Sequence, residues 1–217
     1  MKTRREFIKT TALATAGAIA MNAYSFPATK KKQVGLQLWT LRDTIETDTL
    51  STLEQVSVIG YRSIEPYGFN GKFYGIPTTE FRRIIEGLGM KLTSTHTGIA
   101  RDNADAYIEA GHDAGLEYMV LPSPGGRPLK TYDDVLRLAE ELNRIGEKAS
   151  AAGIRLGYHN HASEFEDTEN GIIYDILLKN TDPSLVCFQL DIFWIVKAGK
   201  DPLSYFERYP GRFELWH

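Results

Sequence analysis

The sequence predicts a parallel α/β barrel of the (β/α)8 kind, and three observations carry that reading. Short apolar runs of strand character alternate with amphipathic helical stretches along most of the chain, the rhythm that builds βαβ units and a parallel sheet. Gly60, Gly89, Gly115 and Gly153 each stand just before one of these runs, where a helix closes with a left-handed cap. Imidazole and carboxylate groups also end several of the runs, as in Tyr158-His159-Asn160-His161, Gln189-Leu190-Asp191 and Leu215-Trp216-His217. In a parallel barrel those strand ends share one face, and active sites are built there.

The spacing predicts strands over 34–39, 61–65, 91–96, 118–121, 154–159, 185–191 and 213–217. Leu50, Leu53, Val56 and Ile59 recur at helical intervals, as do Phe81, Ile84, Ile85 and Leu88. Further helices are expected over 103–114, 132–152 and 172–179. Asp201-Pro202 opens another, with Asp as cap and Pro at the first helical position. Seven strands roughly thirty residues apart give the cadence of an eight-stranded barrel, which typically needs about 250 residues. The domain over 34–217 therefore reads as an incomplete barrel, truncated after its seventh strand, with an open doubly wound sheet as the alternative.

Composition is that of a globular chain, 42% hydrophobic and 24% charged. The unusual stretch is the N-terminus. Arg4-Arg5-Glu6-Phe7-Ile8-Lys9 precedes a small apolar run from Thr10 to Ala20, which reads as an export signal over 1–23 followed by a polar linker over 24–33. The paired arginines resemble a twin-arginine translocation signal, which implies a partner in that export machinery and a periplasmic or otherwise exported location. An ordinary secretory signal or a single anchor is the alternative. The run is too short to span a bilayer comfortably, so no stable membrane anchoring is expected. Taking 1–23 away removes four basic residues and one acid, and the formal charge falls from −3 to −6. That acidity argues against nucleic acid as a partner. The single cysteine, Cys187, lies in an apolar run and reads as a buried thiol.

The candidate site residues follow from the strand ends. His159 and His161 alternate and so share one side. Asp191 and His217 close the next two strands. One His, one Asp and one further His make a plausible shell for a divalent cation, with mixed N and O donors suiting Mn, Zn, Co or Fe. Glu65 and His96 close earlier strands, and either can act as general base or hold a hydroxyl. Trp39, Tyr67, Phe69 and Trp194 fall just past strand ends, where aromatic faces can stack on sugar rings, although core packing would also explain them. Of the cations Arg42, Arg127 and Lys197, Lys197 is the preferred substrate contact.

Gly35-Leu-Gln-Leu-Trp-Thr-Leu-Arg42, Ser94-Thr-His96, Gly157-Tyr-His-Asn-His161, Leu190-Asp191 and Leu215-Trp-His217 resemble the sugar phosphate isomerase/epimerase family of the xylose isomerase-like TIM-barrel superfamily. The resemblance covers 34–217. It implies a divalent metal ion (Mn, Co, Zn or Mg) held at the ends of the later strands, and proton transfer beside a sugar carbonyl. By motif, Asp191 and His217 match ligands on the sixth and seventh strands. His159 stands where many members carry a carboxylate, and the family's eighth-strand glutamate would lie beyond residue 217. The superfamily also contains apurinic endonucleases, inosose dehydratases and lyases acting on 3-keto-glycosides.

The expected function is metal-dependent isomerisation or epimerisation of an unphosphorylated sugar. His159, Asp191 and His217 would hold the ion, Glu65, His96 and His161 would do the catalysis, and Trp39, Trp194 and Lys197 would bind substrate. A keto-sugar lyase or dehydratase using the same enolate is the first alternative. A non-catalytic carbohydrate-binding barrel and a metal-dependent phosphodiesterase are the others.

Overall fold

The computed structural model describes residues 34–217 except 125, 126 and 128. The predicted leader and linker lie outside the described residues. Seven strands run in chain order: β1 (Leu36–Gln37), β2 (Ser63–Glu65), β3 in two pieces (Lys91–Leu92 and Ser94–His96), β4 (Tyr118–Leu121), β5 (Arg155–His159), β6 (Val186–Leu190) and β7 (Phe213–Trp216). Every neighbouring pair is parallel. The first piece of β3 pairs with β2 and the second with β4, so the break at Thr93 is where the sheet bends. Its curl is visible in side chains. Gln189 on β6 donates to Glu65 on β2 over 2.9 Å, a contact between strands four apart that a flat sheet could not make at a 4.7–4.9 Å strand spacing.

Helices follow the strands: α1 (Thr49–Ile59), α2 (Thr78–Gly87), α3 (Ala104–Asp113), α4 (Tyr132–Ala151), α5 (Ile173–Asn180), α6 (Ile192–Lys197) and α7 (Pro202–Arg208). The longest, α4, shows why. Thr131 and Asp134 form a reciprocal capping box at its start. Val135, Leu138, Ala139, Leu142, Ile145, Gly146 and Ala149 then make one buried stripe, the 3–4 spacing of a helix face turned to a sheet. Gly146 permits the closest approach, because a Cβ there would lie 2.8 Å from the Leu185 carbonyl oxygen. Asp201 caps α7 through the Leu203 N–H with Pro202 at the first position, as the sequence predicts. The four glycines expected at left-handed caps have φ between 69° and 114°.

Three features depart from the predicted elements or add to them. The first strand is shorter than its apolar run, because the Gln37 side chain accepts the Trp39 N–H and starts a helical turn at Leu38. The run Ile192 to Val196 is helical, although its composition suits a strand. Asp191 accepts the Trp194 N–H at 2.8 Å and caps α6, and an apolar run this short carries no periodicity to reveal it. Two small hairpins, Lys72–Phe73 with Ile76–Pro77 and Asp167–Thr168 with Gly171–Ile172, lie in the loops between barrel strands and helices. Cys187 is buried on β6, and burial pushes its thiol up to about 12. Among the described residues no helix is long and apolar enough to cross a membrane.

Candidate active site

Six polar side chains meet where the strands end. Gln37, Glu65, His96 and His159 are the last residues of β1, β2, β3 and β5. Asp191 and His217 directly follow β6 and β7. A cavity of about 530 Å³ opens over them, within the range of roughly 300–1,000 Å³ common for small-molecule sites. Trp39 and Trp194 stand in its wall together with His161, Tyr67 and Ser123.

On one side of the floor, Asp191 divides its two oxygens between fold and site. Oδ1 caps α6. Oδ2 lies 3.7 Å from His159 Nε2 and 3.6 Å from His217 Nδ1. These separations are too long for hydrogen bonds. They are close to the roughly 3.4 Å expected between neighbouring ligands that each sit about 2.1 Å from one tetrahedral ion. The donor set of two imidazoles and a carboxylate suits a borderline divalent cation, so the residues present fit the metal the sequence reading expected. His96, His159 and His217 also offer ring nitrogens within 4.8 Å of one another. Both nitrogens of His96, however, already have protein partners.

Those partners form the other side of the floor. His96 Nε2 lies 2.7 Å from Gln189 Oε1 and 3.1 Å from Glu65 Oε1, and its Nδ1 lies 3.3 Å from the Gln37 amide nitrogen. Glu65 also accepts from Ser94 and from Gln189. Burial alone would push the Glu65 carboxyl up, but hydrogen bonding and charge from His96, with help from Ser94 and Gln189, outweigh it and hold it low. Burial likewise opposes charge on His96, yet Glu65, Gln189 and Asp191 raise it above the usual imidazole value. The Gln37 side chain already accepts the Trp39 N–H, so its NH₂ donates to His96 Nδ1 and the His96 proton sits on Nε2, facing Glu65 and Gln189. His159 goes the other way: burial, then the neighbouring His96, His217 and His161, lower it to about 2. Burial also lowers His217, against the pull of Asp191 and Glu65. Neutral imidazoles are the form that binds cations.

The structure brings most of the predicted site together and sorts it. His159, Asp191 and His217 converge, and His96 lines the cavity. Glu65 sits beneath His96 rather than in the cavity wall, and reaches the site through that imidazole. His161 lies past the end of β5 rather than within the strand, but its ring still comes 5.0 Å from His159 and 5.3 Å from Trp194. Its loop is pinned by Glu164, a buried carboxylate that accepts from Tyr158, Ser163 and the His161 N–H. Lys197 stands just outside the cavity wall. On α6 its ammonium lies 4.6 Å over the Trp194 ring, and it is not among the cavity-lining residues. Arg42 packs on Trp39 and Arg127 pairs with Glu141 at 2.7 Å. Phe69 is core. Gln37, Gln189 and Glu164 were missed. Gln189 had a usable signal, since it is a polar residue inside an apolar run two positions before Asp191.

A curled parallel sheet with helices on its outer face, and imidazoles and carboxylates gathered at the strand ends, defines a barrel of the enzyme-bearing kind. Residues 53–217 match the sequence pattern of the xylose isomerase-like TIM barrel, and the chain belongs to that family. A sugar phosphate isomerase/epimerase structure from Parabacteroides distasonis superposes with a TM-score of 0.78 at 30% identity, over 88% of this chain and 76% of that one. An inosose dehydratase of Lacticaseibacillus casei is 36% identical over 91 residues, which cover 42% of this chain and 30% of the relative. Inosose dehydratase 2 of Bacillus cereus is 24% identical over 82% of this chain and 67% of its own length. The matches span from 30% to 67% of these curated relatives' length. Its relatives thus include a sugar phosphate isomerase/epimerase and inosose dehydratases.

Proposed function

We propose that this chain carries the metal site of an enzyme that removes a proton beside a carbonyl of an unphosphorylated sugar or keto-sugar. The observation that carries the reading is the meeting of His159, Asp191 and His217 at one point of a cavity flanked by two tryptophans. Those three residues would hold a divalent ion, which when bound polarises a substrate carbonyl and acidifies the adjacent C–H. Trp39 and Trp194 offer flat apolar faces to a sugar ring. Among the described residues lining the cavity none is Lys or Arg, which favours an uncharged substrate over a sugar phosphate.

Proton traffic falls to one imidazole. His161 faces the cavity beside Trp194 without serving the ion, and takes the proton from carbon. His96, its ring held by Glu65, Gln189 and Gln37, offers a fixed wall against which the substrate is oriented. When the proton returns at a neighbouring carbon, the outcome is isomerisation or epimerisation. When a β-oxygen leaves instead, the C–O bond breaks as the C=C bond forms, and His161 passes the proton it took from carbon to the departing oxygen. The dehydratase names among the curated relatives favour this second outcome; the sugar phosphate isomerase/epimerase neighbour favours the first.

The test uses the protein isolated from its native host, incubated with Mn²⁺ in D₂O and either a free ketohexose or a 3-keto-glucoside, and followed by proton NMR. Deuterium entering beside the carbonyl, and lost in His159→Ala and Asp191→Ala, supports the proposal, and the product separates isomerase from lyase. No exchange with either sugar despite bound metal sinks it and leaves a carbohydrate-binding barrel as the reading. The Arg4-Arg5 leader carries the accompanying proposal of export through the twin-arginine machinery. Periplasmic delivery of a reporter fused to residues 1–33, unaffected by replacing both arginines with lysine, would refute it.

A further inference from the structure

Gln189 stands between the two halves of the site floor and touches both. Its Oε1 lies 2.7 Å from His96 Nε2 and 3.0 Å from His159 Nδ1, and its Nε2 donates to Glu65 Oε2 at 2.9 Å. Gln189 and His159 are register partners on β6 and β5, so the backbone itself holds the amide against the imidazole. Gln189, Glu65, His96 and His159 are all buried. There is little freedom to exchange these partners for water.

The amide can point only one way. Glu65 is held as a carboxylate by its donors and offers acceptors alone. Turning the amide over would set Oε1 against Glu65 and NH₂ against the imidazoles, losing its bond to Glu65 and placing two oxygens in contact. With NH₂ on Glu65, Oε1 accepts, and each imidazole nitrogen facing it must carry hydrogen. For His159 that nitrogen is Nδ1, which also lies 3.4 Å from His217 Nδ1, a longer contact than the 3.0 Å to Gln189. A neutral imidazole protonated at Nδ1 has its lone pair at Nε2, the atom that faces Asp191 Oδ2.

We propose that Gln189 is a positioning residue that fixes His159 in its Nδ1–H tautomer and so makes Nε2 the cation-binding atom, while its contact with His96, together with those of Glu65 and Gln37, keeps His96 out of the ion's shell. The inference rests on the metal site proposed above. It goes further in assigning the ligand atom, in separating His96 from the ligands, and in giving a role to a residue that touches neither ion nor substrate. A hydrogen bond from the far nitrogen of a ligating imidazole orients the ring and raises its basicity, and losing such a partner typically costs 10- to 100-fold in metal affinity.

The experiment reads the tautomer directly, without metal or substrate. The chain has five histidines, so ¹⁵N-histidine labelling of the full chelator-treated protein gives a small set of ring correlations at pH 7.5, with His159 assigned by its loss in His159→Asn. The expected pattern is Nδ1–H and unprotonated Nε2. An Nε2–H pattern in the wild type overturns the proposal outright, whatever any variant does. In Gln189→Met, close in volume but without the carbonyl, His159 is expected to lose the Nδ1–H preference and Mn²⁺ affinity by calorimetry to fall about 10- to 100-fold. Retained tautomer and affinity in that variant would also overturn it. Failure of the wild type to bind Mn²⁺ would instead sink the metal site, while the ring spectrum still reports on Gln189.

Discussion

Replacing Asp191 by Asn tests the ion site most sharply, because the fold cost and the binding cost separate. Asn keeps an oxygen to accept the Trp194 N–H and so preserves the α6 cap. What changes is the other oxygen, which becomes an NH₂ group pointed at His159 Nε2 and His217 Nδ1. The metal-free variant can hydrogen-bond there, so its stability in chelator should stay within about 1 kcal/mol of wild type, whereas Asp191→Ala also forfeits a cap worth about 1 kcal/mol. Ion binding should fall by more than the roughly 100-fold that losing an outer partner can cost, because a ligand and its charge are removed. At a metal concentration one hundred times the wild-type Kd, the ion stabilises the wild type by about 2.7 kcal/mol. For a chain of this size that is a rise in Tm of about 5–10 °C. At the same concentration a variant weakened 100-fold gains about 0.4 kcal/mol, or about 1 °C. Thermal melts with and without Mn²⁺, backed by calorimetry, measure this. A variant that binds within threefold of wild type would refute the reasoning and shift the site to the His96, His159 and His217 trio.

The remaining predictions concern pH, packing and substrate. His159 titrates near 6.5 when unfolded but is lowered to about 2 in the fold; a depressed imidazole contributes stability above pH 6.5 and loses it as pH falls below, by up to about 1.4 kcal/mol per unit. Urea melts of the metal-free protein between pH 7 and 4.5 should therefore show an acid loss that His159→Asn shallows, and an unchanged slope in the variant would contradict the burial argument. Gly146→Ala drives a Cβ against the Leu185 carbonyl and should cost about 1–3 kcal/mol in denaturant melts while leaving Mn²⁺ affinity alone. Trp194→Ala should raise KM for the active sugar about 2- to 10-fold with little change in kcat, the range that one aromatic contact of about 0.5–1.5 kcal/mol supplies; a pure kcat effect would place Trp194 elsewhere in the reaction.

Much of this protein was written in its one-dimensional pattern, for reasons that are local. Strands and long helices follow from side-chain periodicity, and caps such as Thr131 and Asp201 or the glycine at 153 act on their own neighbours, so Tyr118–Leu121 and Tyr132–Ala151 were legible within a residue. Strand-end chemistry was legible as well, because a parallel sheet sends every C-terminal end to one face. That made His159, Asp191 and His217 visible as a set. Chain order could not say which polar groups pair across the interior. Glu65 and Gln189 are 124 positions apart and meet only because the sheet curls. That contact puts Glu65 under His96, gives His96 its partners, and leaves His159 to face Asp191. Lys197 shows the same limit from the other side: a short helix capped by Asp191 carries its ammonium onto Trp194, and neither residue's identity announces that turn. Sequence determined what chemistry arrives at the mouth of the barrel. Tertiary closure decided which group does what, since partner, burial and charge are properties of residues that meet in space.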